Sequence, residues 1–352
     1  MTTRKSKSEL YMSRCLDLAK LGGKAVKQNP KVGAVIVYNN RIIGEGYHQK
    51  YGSHHAEVNA VNSVKPEDKH LIAESEIYVS LEPCCIVSKT PACTDLIIRS
   101  GIKKVFVGCL DPNPKVAGRG LNILKEHGIE VSSGILEEAC KNMIRPFKTH
   151  ILKKRPYVIL KFAQSADGYI SKKEAQTSIS GAQSQILNHK WRTEIDGILI
   201  GTNTAVIDNP KLTSRAFPGD NPIRLVIDKQ ERIPKTHHLL SDNGHTVIFS
   251  NNAQYKLQSN TNKITQAIDL ENEIEGILNY CFNSGINLLL IEGGRQVINS
   301  FVKSGLWDEC RVIKAPILLG EGVKAPIIEM QLQDRYRLGE DEVFIGFKKS
   351  KY

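Results

Sequence analysis

The sequence predicts an α/β fold built in two parts. Strand-like apolar runs alternate with segments of helical periodicity through residues 1–150, and the same alternation restarts in the rest of the chain. Between the parts, Lys153-Lys154-Arg155-Pro156 interrupts the pattern with three basic residues and a proline, which is typical of a junction. We therefore expect two α/β domains, residues 1–150 and 151–352.

The first part predicts a three-layer α/β unit. The apolar runs 32–38 and 41–47 flank Asn39-Asn40 and predict a hairpin. Other apolar runs predict strands at 76–81, 105–110 and 129–132. Helical patterns, two of them closed by Gly101 and Gly128, predict helices at 55–64, 94–100, 121–127 and 137–150.

The second part predicts a larger sheet. Apolar runs predict strands at 157–163, 197–201, 224–228, 246–250 and 286–291. Helical patterns predict helices at 183–195, 272–283 and 296–303. The last two strand-like runs, 311–319 and 342–348, have no long helix between them, which predicts a mostly parallel sheet with an antiparallel edge.

Composition excludes several classes of protein. The chain has 41% hydrophobic and 24% charged residues, as globular proteins have, and no apolar run approaches the ~20 residues of a membrane helix. Eight cysteines follow a lysine-bearing start without an apolar signal core, so we expect reduced thiols and a cytoplasmic protein that does not bind membranes.

The net charge of +11 is compatible with three kinds of surface. Nucleic acid is disfavoured, because the basic residues are spread over both halves and form no dense run with interleaved aromatics. Phosphorylated small molecules, attracted by a positive field, agree better with this distribution. A basic surface that is merely solvated would look the same.

The most informative motif is His55-Ala56-Glu57, followed by Pro83-Cys84 and Pro91-Ala92-Cys93. One imidazole and two thiolates form a ligand set for zinc, which can keep its fourth position open for water and lower the pKa of that water to about 7. The carboxylate of Glu57 suits proton transfer better than metal binding. The order of these residues matches the zinc deaminase pattern.

Cys84 has a rival as the second ligand. Eight residues separate it from Cys93, where the usual pattern has two, and Cys85 offers a neighbouring thiol. We favour Cys84 because it follows Pro83 at the end of the strand predicted at 76–81, which delivers its side chain to a fixed place at the sheet.

Two loops in the second part resemble phosphate-binding turns. In the first, the buried run 288–291 leads through Glu292, Gly293 and Gly294 into a helix. The second loop follows the strand predicted at 197–201 and continues to Asp208-Asn209-Pro210. Glycine lets a backbone approach a ligand, and free amides at a helix start bind phosphate. A nucleotide cofactor is therefore expected, although neither loop contains the Rossmann pattern Gly-x-Gly-x-x-Gly.

With these residues assembled, residues 8–350 resemble the bifunctional riboflavin-biosynthesis family, in which a pyrimidine deaminase is joined to a reductase. The resemblance rests on a series of motifs found in order, which comprises Asn29-Pro30-x-Val32-Gly33, Gly44-x-Gly46-x-His48, His55-Ala56-Glu57, Leu81-Glu82-Pro83-Cys84, Lys89-Thr90-Pro91-x-Cys93, Asp111-Pro112-Asn113-Pro114-x-Val116-Ala117-Gly118-x-Gly120, Ser165-x-Asp167-Gly168 and Asp208-x-Pro210-x-Leu212-Thr213-x-Arg215.

For the first domain, the resemblance implies a cytidine-deaminase-like α/β/α fold with one zinc ion on His55, Cys84 and Cys93 and with Glu57 as proton shuttle. It further implies that the pyrimidine and its ribose phosphate are lined by Asn29, His48, Lys89, Asp111 and Asn113. The chain departs from the family at Ile86-Val87-Ser88, where relatives usually carry a histidine-glycine pair.

For the second domain, the resemblance implies a dihydrofolate-reductase-like fold in which NADPH reduces the ribosyl group to a ribityl chain. The implied cofactor contacts are Ala163, Ser178, Thr204, Asp208, Gly294, Arg295, Gln296, Val297, Ile298, Asn299 and Ser300. The implied substrate contacts are Lys161, Gln176, Arg192, Leu212, Arg215 and Glu292. Lys161 and Asp208 are our candidates for polarising the sugar. Residues 172–178 are altered, with Ser178 where relatives tend to have tryptophan, and Lys229 replaces a small polar residue of some relatives.

Other functions are compatible with parts of the sequence. Nucleic-acid base deaminases, including those acting on tRNA, share the zinc motif, and their second domain would bind RNA. The chain's 6% aromatic content and glycine loops disfavour that reading. A zinc-stabilised scaffold without activity, or a working deaminase joined to a degenerate reductase, would also carry this motif. The resemblance is compatible with a homo-oligomer.

Overall fold

The chain forms two compact units. The computed structural model describes residues 5–86, 91–173, 177–252, 262–267 and 272–349. Internal contacts separate a first unit that ends at Lys154 from a second that begins at Arg155. This division falls within the basic, proline-containing segment that interrupts the sequence pattern.

In the described part of the first unit, five strands form one sheet in the order β2-β1-β3-β4-β5. The strands are β1 (Gly33–Tyr38), β2 (Arg41–Tyr47), β3 (Glu76–Leu81), β4 (Lys104–Cys109) and β5 (Glu130–Ser133). β1 pairs antiparallel with β2 and β3, and β3, β4 and β5 run parallel. The carboxyl ends of β3 and β4 therefore lie at the same edge of the sheet.

Helices cover both faces of this sheet. Successive residues of a strand point to opposite faces of the sheet. In β1 the consecutive residues Ala34, Val35 and Ile36 are all fully buried, so both faces are covered. The helices are α1 (Lys7–Lys20), α2 (Ala56–Asn62), α3 (Cys93–Arg99), α4 (Arg119–Glu126), α5 (Glu137–Met143) and α6 (Arg145–Lys153), with a 3₁₀ helix at Pro66–Glu74.

Three helical features of the first unit differ from the sequence prediction, one of which is the unpredicted 3₁₀ helix at Pro66–Glu74. We did not predict α1, although Ser6 and Glu9 form a reciprocal capping box at its start. The single helix predicted at 137–150 is wrong, because the chain breaks at Ile144 into α5 and α6. Pro146 lies in the first turn of α6, where its missing N–H is tolerated, whereas in the middle of a longer helix it would remove a hydrogen bond.

Within the described residues of the second unit, nine strands form one sheet in the order β11-β10-β9-β8-β12-β6-β13-β16-β15. They are β6 (Tyr157–Gln164), β8 (Gly197–Gly201), β9 (Ile223–Ile227), β10 (Thr246–Ser250), β11 (Lys263–Ala267), β12 (Leu288–Gly293), β13 (Glu309–Lys314), β15 (Met330–Leu338) and β16 (Asp341–Lys348). The strands from β11 to β13 are parallel, and β16 and β15 are antiparallel. The predicted parallel sheet with an antiparallel edge is confirmed.

The remaining elements of the second unit surround this sheet. The helices are α7 (Ala182–Glu194), α8 (Thr202–Asp208), α9 (His238–Ser241), α10 (Glu273–Asn283) and α11 (Arg295–Ser304), and a separate pair of short strands consists of β7 (Tyr169–Ser171) and β14 (Val323–Lys324). We did not predict β15, since most of its residues are exposed and polar or charged. No helix in the described ranges is long and apolar enough to cross a membrane.

Candidate active sites

Three metal-binding side chains of the first unit converge at one point. His55 immediately precedes α2, Cys93 is the first residue of α3, and Cys84 follows β3. The Nδ1 atom of His55 lies 3.5 Å from Cys84 Sγ and 3.4 Å from Cys93 Sγ. The ligand atoms of the three residues are all within 4.8 Å of one another. One imidazole nitrogen and two sulfurs fit zinc and leave a tetrahedral position for a further ligand.

The protonation states of these three side chains depend on one another. A hydrogen bond from Cys93 lowers the pKa of the Cys84 thiol, and the same contact raises the pKa of Cys93. The hydrogen bond to Cys84 raises the pKa of His55. The group therefore favours a thiolate at Cys84, which is the form of cysteine that binds metals.

Glu57 lies beside this group in the first turn of α2, and only 3% of it is exposed. Burial raises the pKa of its carboxyl, and the negative charge of Cys84 raises it further. Among the described residues, the metal-binding group comprises the histidine and the two cysteines and does not include this carboxyl. A buried carboxyl next to the metal ligands is suited to take up and release a proton.

His48 and Asn29 form a hydrogen-bonded pair next to the metal ligands. The Nδ1 atom of His48 lies 3.0 Å from the carbonyl oxygen of His54, and its Nε2 lies 3.0 Å from Asn29 Nδ2. Since a carbonyl only accepts, Nδ1 carries the proton, and the neutral ring accepts from Asn29 through Nε2. Burial lowers the pKa of His48 and favours this neutral form. The rings of His48 and His55 meet edge to face, 5.5 Å apart.

Asp111 and Asn113 lie in the loop after β4. The backbone N–H of Asn113 donates to Asp111 Oδ1 over 2.7 Å. Burial raises the pKa of Asp111 to about 6, with smaller contributions from the negative charges of Glu82 and Cys84. Lys89, which we also expected in this pocket, lies outside the described residues.

The identity of the second thiol ligand gives a direct test. We expect Cys84→Ser to weaken zinc binding at least about 100-fold, because loss of a ligand should cost no less than loss of its supporting contacts. Cys85 is partly exposed, and the three-residue metal-binding group found in the described chain does not contain it. The Cys85→Ser variant is therefore the matched control, which should retain parental zinc content by metal analysis. The opposite result would make Cys85 the ligand.

The second unit contains a cavity of about 1380 Å³ at the carboxyl ends of β6, β8, β9 and β12. In open α/β sheets this edge is where ligands bind. The predicted site residues on its wall are Lys161, Ala163, Ser178, Arg192, Thr204, Asp208, Leu212, Arg215, Glu292, Gly294, Arg295, Gln296, Val297, Ile298 and Ser300.

Two predicted members of this site are not found on the wall. Gln176 lies outside the described residues. Asn299 is described but is not among the residues that line the cavity. The start of α11 supplies the lining residues Arg295, Gln296, Val297 and Ile298, and Ser300, one turn after Gln296, is the last residue of the helix on the wall.

A buried ion network forms part of the cavity wall. Glu292 Oε1 lies 3.1 Å from Lys161 Nζ, and its Oε2 lies 2.8 Å from Arg192 Nη2. Burial opposes the charge of Glu292, but Arg192 and Lys161 outweigh it and lower its pKa to about 2. Burial lowers the pKa of Lys161. Two cations thus share one carboxylate at the wall of the cavity.

Several cavity residues were missed from the sequence. Gln185, Asn188 and His189 line the cavity together with Arg192 on α7. Their spacing of three, four and seven residues places them on one helical face. The sequence does contain this polar stripe, but from the amphipathic helix predicted at 183–195 only Arg192 was named as a site residue. His189 is fixed by a 2.8 Å contact between its Nδ1 and the carbonyl of Thr213.

The fold and these two sites define a class of protein, a metal-dependent deaminase joined to a reductase. Family models agree, since "Cytidine and deoxycytidylate deaminase zinc-binding region" matches residues 5–109 and "RibD C-terminal domain" matches residues 156–344. The chain is 36% identical to the riboflavin biosynthesis protein RibD of Aquifex aeolicus (96% of this chain and 98% of that protein covered). It is 32% identical to RibD of Escherichia coli K12, with 90% and 89% covered.

Solved structures extend this similarity to the whole fold. A diaminohydroxyphosphoribosylaminopyrimidine deaminase/5-amino-6-(5-phosphoribosylamino)uracil reductase from Thermotoga maritima superposes with a TM-score of 0.87 at 31% identity, covering 97% of this chain and 99% of that chain. The chain belongs to the RibD family of bifunctional riboflavin biosynthesis proteins. It is thus a deaminase and an oxidoreductase that uses zinc and a nicotinamide cofactor, and both expected domain folds are confirmed. A nucleic-acid deaminase is not favoured.

Proposed function

We propose that the first unit deaminates 2,5-diamino-6-ribosylamino-4(3H)-pyrimidinone 5′-phosphate and that the second unit reduces the ribosyl group of the product with NADPH. These assignments correspond to the domains expected at residues 1–150 and 151–352. The observation that carries the first assignment is the buried carboxyl of Glu57 beside His55, Cys84 and Cys93. The zinc ion, when bound by those three side chains, lowers the pKa of water and makes it nucleophilic.

In the deamination, water adds to the amine-bearing ring carbon, the C–N bond breaks, and ammonia leaves. Glu57 moves the proton, taking it from the attacking water and returning it to the departing nitrogen. Its buried site, 3% exposed, keeps other water away from this transfer. The pyrimidine and its ribose phosphate are proposed to bind to Asn29, His48, Lys89, Asp111 and Asn113.

In the reduction, the nicotinamide cofactor supplies a hydride to the anomeric carbon when bound. The ring oxygen must then gain a proton as its bond to that carbon breaks. Lys161 and Asp208 both line the cavity and are the proposed donors of this proton, and burial raises the pKa of Asp208. Glu292 holds Lys161 and Arg192 at the wall, and the guanidinium of Arg192 suits a phosphate or sugar oxygen.

Three further parts of the proposal concern the surroundings of the reaction. Arg215, Lys229 and Arg232 line the cavity, and their positive charge favours NADPH over NADH. None of the eight cysteines forms a disulfide, which supports a cytoplasmic location. We retain the predictions that the chain binds no nucleic acid and is compatible with a homo-oligomer.

The decisive experiment incubates the zinc-loaded protein with the diaminopyrimidinone ribosyl phosphate and follows ammonia with and without NADPH. We expect ammonia in both cases. Added NADPH should be oxidised when the pyrimidine phosphate is present, and NADH should be oxidised more slowly. A tRNA substrate is the matched negative arm and should release no ammonia. Ammonia from tRNA, or none from the pyrimidine, would contradict the proposal.

A further inference from the structure

Glu82 belongs to the motif that precedes Cys84, yet neither the metal group nor the proposed proton transfer uses it. It directly follows β3 and is only 3% exposed. Its Oε2 accepts the backbone N–H of Asp111 over 3.1 Å and that of Gly118 over 2.9 Å, while its Oε1 accepts that of Gly120 over 3.0 Å. All three donors belong to one segment, which runs from the loop after β4 into the first turn of α4 and which we call the 111–120 loop.

This loop is built to lie against Glu82. Gly118 has a φ of +83°, which favours glycine, and it precedes α4 without a capping side chain of its own. A Cβ at Gly120 would lie 2.3 Å from the carbonyl oxygen of Pro83, so only glycine allows this close approach. The Glu82 carboxylate therefore replaces the local cap and satisfies the amides at the start of α4, where negative charge is favoured.

Glu82 and the residues that follow it contact two parts of the deaminase site, the metal-binding group and the 111–120 loop. The backbone N–H of Glu82 donates to the carbonyl of Cys109 at the end of β4 over 3.0 Å. Two residues further along, past Pro83, Cys84 contacts His55 in the metal-binding group. The carboxylate of Glu82 accepts the backbone N–H of Asp111, and the side-chain Oδ1 of Asp111 in turn accepts the backbone N–H of Asn113.

We propose that Glu82 is a positioning residue for deamination, whose carboxylate fixes the 111–120 loop, and with it Asp111 and Asn113, relative to the metal ligand Cys84. Three N–H donors on a buried carboxylate are charge-assisted hydrogen bonds, which hold a backbone more firmly than neutral ones. The inference rests on the proposed function, because Asp111 and Asn113 matter to catalysis only if they bind the pyrimidine phosphate.

The test is Glu82→Gln, which keeps the size of the side chain but turns one acceptor oxygen into an N–H₂ facing N–H donors. We expect hydrogen exchange of the amides of Asp111, Gly118 and Gly120 to rise at least about tenfold. We further expect KM for the pyrimidine phosphate to rise about tenfold or more, with kcat falling less. Zinc content and the reductase activity should stay at the parental level.

Glu76→Gln is the matched control, because Glu76 begins β3, the strand that Glu82 follows, but accepts from the side chain of Tyr78 and not from the loop. It should leave loop exchange and KM unchanged. Parental exchange and KM in Glu82→Gln would overturn the inference, and so would equal changes in the two variants.

Gly120→Ala provides a second route that leaves the carboxylate intact, in case Glu82→Gln fails to fold. Its Cβ should push the loop from Pro83 and raise both exchange and KM. If Glu82→Gln folds, the increase of KM in the double variant should be smaller than the product of the two single increases, because both substitutions act on one contact. Unchanged KM in Gly120→Ala would count against the inference. The exchange measurement needs no substrate, so it distinguishes a failure of this inference from a failure of the proposed deamination.

Discussion

Replacement of Glu57 by glutamine is expected to lower the rate of ammonia release by about 10²- to 10⁴-fold, the usual contribution of a general acid–base. Glutamine has nearly the same shape but cannot carry the proton from water to the departing amine. Zinc content should stay at the parental level, because Glu57 is not part of the metal-binding group in the described residues. Metal analysis and ammonia release on the same preparation check both statements.

The Glu57→Gln protein should also be at least as stable as its parent. Burial raises the pKa of Glu57, so its ionised form is disfavoured in the folded unit, and a neutral amide avoids that cost. Glu45→Gln is the matched control, since Glu45 lies in the same unit, is paired with Arg14 at the surface, and should not affect ammonia release. Deamination by Glu57→Gln within tenfold of the parental rate would contradict the proton-transfer role.

Replacement of Glu292 by glutamine is expected to damage both the stability of the second unit and the reduction. It leaves the buried charges of Lys161 and Arg192 without their carboxylate, which typically costs about 3–5 kcal/mol of the free energy of unfolding. The two cations also lose their fixed positions at the cavity wall, which should lower kcat/KM for reduction about 100-fold or more. Ammonia release should remain parental.

The acid dependence of stability provides an independent check on Glu292. Its pKa is lowered from 4.5 to about 2 in the folded protein. The ion network therefore stabilises the folded unit fully above about pH 4.5, and this stabilisation is lost as the pH falls through about 2. Glu292→Gln should lack that loss in acid denaturation. Glu342→Gln, which breaks an exposed pair with Arg335, is the matched control and should leave the stability and its acid dependence close to those of the parent.

The order of residue types along the chain was sufficient to propose the metal ligands. Two of the ligands, His55 and Cys93, lie at helix starts, and Cys84 follows the end of a strand. Backbone geometry fixes the side chains at such positions, so their convergence could be inferred from the motifs. The contacts of Glu82 could not be inferred in this way, because they depend on how closely the 111–120 loop approaches β3. That approach is set by the absence of a Cβ at Gly120.

Elements with a buried face were predicted better than exposed or interrupted ones. The central strands β6, β8 and β12 are apolar along most of their length because helices cover both faces of a parallel sheet. The edge strand β15 has no such pattern, since Gln331, Asp334, Arg335 and Arg337 are exposed. The polar stripe of α7 was missed for a related reason, because a cavity-lining face resembles a solvated face in sequence.

Each hydrophobic core draws its side chains from one unit, in the described chain up to Ile144 for the first and from Tyr157 onwards for the second. A substitution that disrupts the core of one unit is therefore expected to leave the core of the other unit intact. Two defective alleles, one impaired in each half, are expected to complement each other within a single cell. A lesion confined to the second half would lead to build-up of the deaminated intermediate, whereas one confined to the first half would leave the starting pyrimidine unconsumed.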